Sequence, residues 1–146
     1  MQIQHKDLQL ILDSILRLVT LRQNAGHLVP FAVVLSSEGR IVQLDGGCGD
    51  SQKGQTRIRV IEAGLLLMAQ QGKLKAIGIY LNASILQTSK KEVQVVLEHQ
   101  DGTAYRILFP WIEGGAEHLR YGNGTVSPSR PKFLVNRVSD RLASVW

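Results

Sequence analysis

The stretch DGGCGDSQKGQT, residues 45–56, gathers glycines, a cysteine, a lysine and a threonine between two apolar runs. A phosphate cradle of the P-loop type needs G-x-x-x-x-G-K-[ST], so that backbone N–H groups wrap the phosphates and the lysine reaches them. Here Lys53 precedes Gly54, Gln55-Thr56 follow, and Asp45 and Asp50 would repel an anion. The dinucleotide pattern G-x-G-x-x-G also fails, because Gln52 stands where its third glycine belongs. The stretch therefore reads as a loop. Its Cys48 is the single cysteine of the chain. A cysteine nucleophile needs a lowered thiol pKa and a positioned base, and His27 or His99 would have to reach it through the fold. A small-molecule or enzymatic role resting on Cys48 and His99 is one alternative reading; an idle surface thiol is the simpler one.

The four histidines, His5, His27, His99 and His118, show neither H-x-x-x-H nor H-E-x-x-H spacing. With one cysteine, the expectation is no metal site and no cofactor. Glu98, Asp101 and Arg106 gather at one end of a hairpin, where Glu98 and Arg106 face diagonally as a surface ion pair rather than a catalytic one.

Cationic chemistry is the other candidate. The formal charge is +5, but residues 1–111 hold 12 basic and 9 acidic side chains and residues 112–146 hold 5 and 3, so the excess is spread along the chain. Nucleic-acid binders usually concentrate it, since counterion release requires several phosphates contacted together. Binding of nucleic acid or another anionic partner through Arg57, Arg59, Lys73 and Lys75 is accordingly the second reading.

The elements that position these residues follow from composition and periodicity. The chain has 146 residues, 44% hydrophobic and 20% charged, which suits one globular domain with a mainly aliphatic core. A lone cysteine fits a reducing compartment, no secretory signal pattern is visible, and charges interrupt the apolar runs, so a cytoplasmic location without a membrane span is expected. Leu8, Ile11, Leu12, Ile15, Leu18 and Val19 repeat at helical spacing over residues 6–24, with Leu10 and Leu21 on the opposite side. Phe31–Leu35 is apolar on both faces and reads as a central strand. A three-residue turn with Gly39 in the left-handed region pairs it with Arg40–Leu44, placing Leu35 opposite Ile41 and Val34 opposite Val42. Residues 56–71 form a second helix. Ile58, Ile61, Leu65, Met68 and Ala69 make one stripe, Val60 and Leu67 lie on the far side, and Gly64 interrupts the interior.

Strands follow at 76–81, 92–99 and 103–111. With Gly102 left-handed, the last two pair Val93 with Phe109, Val95 with Ile107 and Leu97 with Tyr105, which gives one wholly apolar face. The expected fold is α+β: a five-stranded, mainly antiparallel sheet with two flanking helices, in the order α-β-β-α-β-β-β. Residues 1–112 form the domain. Residues 113–146 are a C-terminal extension, a loop and then a short docking element.

This order, with its hairpins, resembles that of roadblock, longin and profilin-type domains over roughly residues 6–111. The resemblance implies a non-enzymatic module that pairs through a helix and a sheet edge. The residues point the same way: a second helix apolar nearly all round needs covering on more than one side. The first reading is therefore a non-catalytic interaction or scaffold module that forms a homodimer. Its interface would use Val60, Gly64 and Leu67, with Leu10, Leu21 and Trp146 as further contacts.

Overall fold

Apolar residues at helical spacing build α1 (Lys6–Asn24), which presents one stripe to a sheet. A computed structural model of the chain describes residues 3–24, 30–45, 54–81, 92–110 and 124–134. They form α1, β1 (Phe31–Ser36), β2 (Ile41–Leu44), α2 (Gly54–Gln70), β3 (Leu74–Leu81), β4 (Glu92–His99), β5 (Ala104–Pro110) and β6 (Thr125–Pro128). The sheet is antiparallel throughout, in the order β2-β1-β3-β4-β5-β6.

The expected hairpin registers are present. Leu35 pairs with Ile41 and Val34 with Val42 across the first turn. Val93 pairs with Phe109, Val95 with Ile107 and Leu97 with Tyr105 across the second. Gly39 and Gly102 carry φ of 86° and 92°, the left-handed backbone that these turns require.

Among the described residues six strands, not five, make the sheet. The extra one, β6, comes from the glycine- and proline-rich extension and pairs with β5, Val126 opposite Ile107. Its sequence, TVSP, has one apolar residue, too few for an alternating pattern to show. Pro128 sits at the outer edge, where its missing N–H costs no ladder bond.

Among the described residues each face of the sheet carries one helix. Leu8, Ile11, Leu12, Ile15 and Val19 of α1 pack on Phe31, Val33, Leu35, Ala76, Tyr80, Val93, Val95, Leu97, Ile107 and Phe109. Gly78 of β3 lets the helix approach: a Cβ there would stand 2.4 Å from Ile11 Cγ2 and 2.7 Å from Ile15 Cδ1. On the other face, Ile61, Leu65 and Ala69 of α2 cover Ala32, Val34, Leu74, Ile77 and Ile79, joined by Phe133 and Leu134 of the extension. Glu98 fastens that last segment. It is buried, and its Oε1 accepts the backbone N–H groups of Phe133 (2.8 Å) and Leu134 (3.1 Å). The diagonal pair expected between Glu98 and Arg106 does not form. The register does place the two diagonally, Glu98 opposite Ala104 and Arg106 opposite Val96, but the Glu98 carboxylate turns to the Phe133 and Leu134 N–H groups and Arg106 stays exposed. No helix among the described residues is long and apolar enough to cross a membrane.

Candidate functional site

Two groups of residues stand out once the sheet and its helices are in place. The first is the outward side of α2. With Ile61, Leu65 and Ala69 turned inwards, helical geometry turns Thr56, Arg59, Val60, Ala63, Leu66, Leu67 and Gln70 outwards, and all seven are exposed. Val60 is 46% exposed, Leu66 44% and Leu67 56%. Arg59 is the one charged residue among the seven. Gly64 lies between Val60 and Leu67, half-buried, with open space where a Cβ would stand. Beside the helix runs β2, an edge strand. Its Val42 is exposed and projects to the α2 side, since it stands opposite Val34, whose side chain lies in the α2 core.

Of the residues expected at an interface, Val60, Gly64 and Leu67 thus share one surface. Leu10 and Leu21 are exposed but belong to α1, on the opposite face of the sheet. Trp146 lies outside the described residues, as do Cys48, His27 and His118. Leu66 was missed by the sequence reading, although its place one residue before Leu67 on a helix with so few charges was the available signal.

The expected anion site is spread along α2. Arg57 is buried, and its guanidinium donates from Nη1 to the carbonyl of Asp45 at 2.8 Å, tying the end of β2 to the first turn of the helix. Arg59 and Lys73 are exposed and Lys75 is half-buried. The arginines stand near the start of α2 and the lysines beyond its end, and the 17-residue helix spans about 25 Å.

The second group joins the start of α1 to the β4–β5 turn. Two tripeptides of the same form, His5-Lys6-Asp7 and His99-Gln100-Asp101, face each other. Each histidine bonds the other's aspartate: His5 Nε2 lies 2.8 Å from Asp101 Oδ2, and His99 Nε2 lies 2.8 Å from Asp7 Oδ2. The rings are 4.2 Å apart between centroids. His5 immediately precedes α1, and its Nδ1 accepts the Leu8 N–H at 3.5 Å, as a capping side chain does. His99 is buried; its Nδ1 accepts the Asp101 N–H at 3.1 Å and stands 3.1 Å from Asp101 Oδ1. The Thr103 N–H donates to that same Oδ1 at 2.9 Å. Slight burial pushes the Asp101 carboxyl up, but the Thr103 N–H, the His5 side chain, the Thr103 hydroxyl and, whenever it is protonated, the His99 imidazolium outweigh it. Together they hold it well below the usual carboxylate range. Donor atoms of His5, His99 and Asp101 all lie within 4.8 Å of one another. The expectation of no metal spacing looked for histidines near each other in sequence, whereas His5 and Asp101 are 96 residues apart. The repeated H-x-D form was the signal available.

No protein-family model matches the chain, and no curated protein or solved structure is significantly similar to it.

Proposed function

We propose that the protein is a non-catalytic interaction module that pairs with a second copy of itself through the outward side of α2 and the neighbouring edge of β2. The observation that carries this reading is the exposure of Val60, Leu66 and Leu67 on one side of a helix whose outward residues include a single charge. Sheet and segment 133–134 already cover the inner stripe, so the surplus apolar surface faces away from the chain's own core. A two-fold axis beside this surface would bring like against like, and a face so nearly neutral pairs with itself without stacking charges. The same axis aligns the two β2 edges, whose outward backbone groups no strand among the described residues engages. Leu10 and Leu21, behind the sheet, take no part in such a contact.

Leu67→Asp tests the proposal. Full burial of a leucine contributes about 1.5–3 kcal/mol. With 56% of Leu67 exposed, pairing recovers roughly 1–1.5 kcal/mol per copy, counted twice across a two-fold axis. Its loss weakens the dimer by at least ~30-fold, and a desolvated carboxylate adds to that. Sedimentation equilibrium should find a dimer for the parent chain and a folded monomer for the variant at the same concentration. A parent chain that stays monomeric at millimolar concentration would refute the proposal.

A further inference from the structure

We propose that the crossed His–Asp pairs form a binding site for a divalent transition metal of the zinc class, with His5, His99 and the Asp101 carboxylate as ligands and Asp7 as a positioning residue.

The donor set comes first. Two imidazoles and one carboxylate suit zinc and its neighbours; calcium and magnesium prefer all-oxygen shells. The spacing comes next. Ligands on a tetrahedral zinc, with bonds of about 2.0–2.1 Å, stand about 3.3 Å apart. The carboxylate of Asp101 already reaches both rings, Oδ2 to His5 Nε2 at 2.8 Å and Oδ1 to His99 Nδ1 at 3.1 Å. Opening these two gaps by a few tenths of an ångström, with the donor nitrogens of His5 and His99 already within 4.8 Å of each other, admits the ion.

At His99 the hydrogen bonds favour the same outcome; at His5, whose Nδ1 accepts the Leu8 N–H, Nε2 releases its proton to solvent as the ion binds. Asp7 accepts from His99 Nε2, which keeps the proton on that nitrogen and leaves the Nδ1 lone pair towards Asp101. A carboxylate behind a ligating imidazole is the usual second layer of such sites, where it fixes the tautomer and raises ligand basicity. With Nε2 protonated, Nδ1 and Oδ1 of Asp101 are two acceptors facing each other at 3.1 Å. A cation between them removes that opposition, at the expense of the Asp101 N–H bond to Nδ1. Asp101 is half open to solvent, its side chain 48% exposed, which supplies an entry path and room for water at the remaining coordination position. The ion would join the first turn of α1 to the β4–β5 turn, closing a chain segment of more than ninety residues in the manner of a staple.

The test uses the full chain without a polyhistidine tag, stripped with chelator and titrated with zinc chloride by calorimetry. One zinc per chain should bind with micromolar or tighter affinity and raise the melting temperature. His5→Asn removes an imidazole while keeping a side chain that caps α1, and Asp101→Asn removes the charge; each should weaken zinc binding by at least tenfold in a chain that still folds by circular dichroism. A His27→Gln/His118→Gln double variant should bind as the parent does. Asp7→Asn should lower affinity about 10–100-fold and shift the visible spectrum of bound cobalt, a change that loss of a purely structural bond would not produce. Absence of zinc binding at millimolar metal would overturn the proposal. So would an affinity unchanged in the His5→Asn/Asp101→Asn double variant.

Discussion

Replacing Gly78 by alanine tests the packing on which the whole α1 face depends. The new Cβ would stand 2.4 Å from Ile11 Cγ2, 2.7 Å from Ile15 Cδ1 and 3.0 Å from Leu97 Cδ2. Carbon atoms rest at about 3.5–4.0 Å, so the first two contacts fall short by roughly an ångström. Ile15 Cδ1 is the tip of its side chain and can swing aside. Ile11 Cγ2 is bonded directly to a branched Cβ, whose rotamer in a helix is nearly fixed, so relieving that contact means lifting α1 itself. Ile11, Ile15 and Leu97 are all fully buried, so each moves only against packed neighbours. Overpacking of this kind costs about 1–3 kcal/mol, and the alanine recovers about 0.4–1 kcal/mol by restricting the unfolded chain. The net loss is about 1–2 kcal/mol, a fall of roughly 2–8 °C in melting temperature for a chain of this size. Thermal unfolding followed by circular dichroism reads it directly. A double-mutant cycle with Ile11→Ala sharpens the test, because the shortened side chain vacates the volume that the new methyl needs. The pair should then cost at least ~1 kcal/mol less than the sum of the single changes. A Gly78→Ala melting temperature equal to or above the parent's, or strict additivity with Ile11→Ala, would show that α1 does not cross β3 at this point.

Three further changes separate stability from association. Gly64→Ala meets open space within the chain, so it should stabilise α2 by about 1 kcal/mol in urea unfolding; if Gly64 seats the partner helix, the same change weakens the dimer in sedimentation. Burial pushes the Tyr80 hydroxyl up to about 12 from its ordinary 10.0, and it has no hydrogen-bond partner among the described residues. The neutral form is thus favoured by folding, so its contribution is complete below pH 10 and is lost as pH rises from there through about 12, by some 2–3 kcal/mol in all. Tyr80→Phe should match or exceed parental stability at neutral pH and decline less steeply between pH 10 and 12 in urea melts. Glu98→Ala strips the acceptor from two buried N–H groups and should cost about 2–4 kcal/mol, with faster hydrogen exchange at Phe133 and Leu134; Glu98→Gln keeps an oxygen acceptor and should cost less than half as much.

The hairpins were legible in the chain because two local signals agreed. A glycine three residues past the end of the leading strand fixed each turn, and only one register then matched apolar residues with apolar residues across the hairpin; Val93, Val95 and Leu97 against Phe109, Ile107 and Tyr105 illustrate it. Side chains whose partners come from far along the chain gave no such agreement. Arg57 reads as a surface cation in a basic pair, yet helical phase turns it under the end of β2, where the Asp45 carbonyl receives it. Glu98 reads as the polar residue of an alternating strand, yet it is buried, because segment 133–134 brings two N–H groups to that spot. In each case the charge is legible and its partner is not, since a backbone donor or acceptor leaves no mark in residue type.

The same reasoning explains why the two candidate sites differ in how early they could be seen. The apolar excess of α2 is carried by a single element, so its period exposes it: no rotation of that helix can bury Val60 and Leu67 together with Ile61 and Leu65. The sheet's position between the helices could not be read this way, and it is what separates Leu10 and Leu21 from the α2 surface. The His–Asp group depends on strand order. Ala76 at the start of β3 pairs with His99 at the end of β4, while α1 packs on β3. The turn after His99 therefore arrives at the first residues of α1. Had β4 joined the other side of β1, both H-x-D tripeptides would remain in the chain, and their histidines would have no reason to meet.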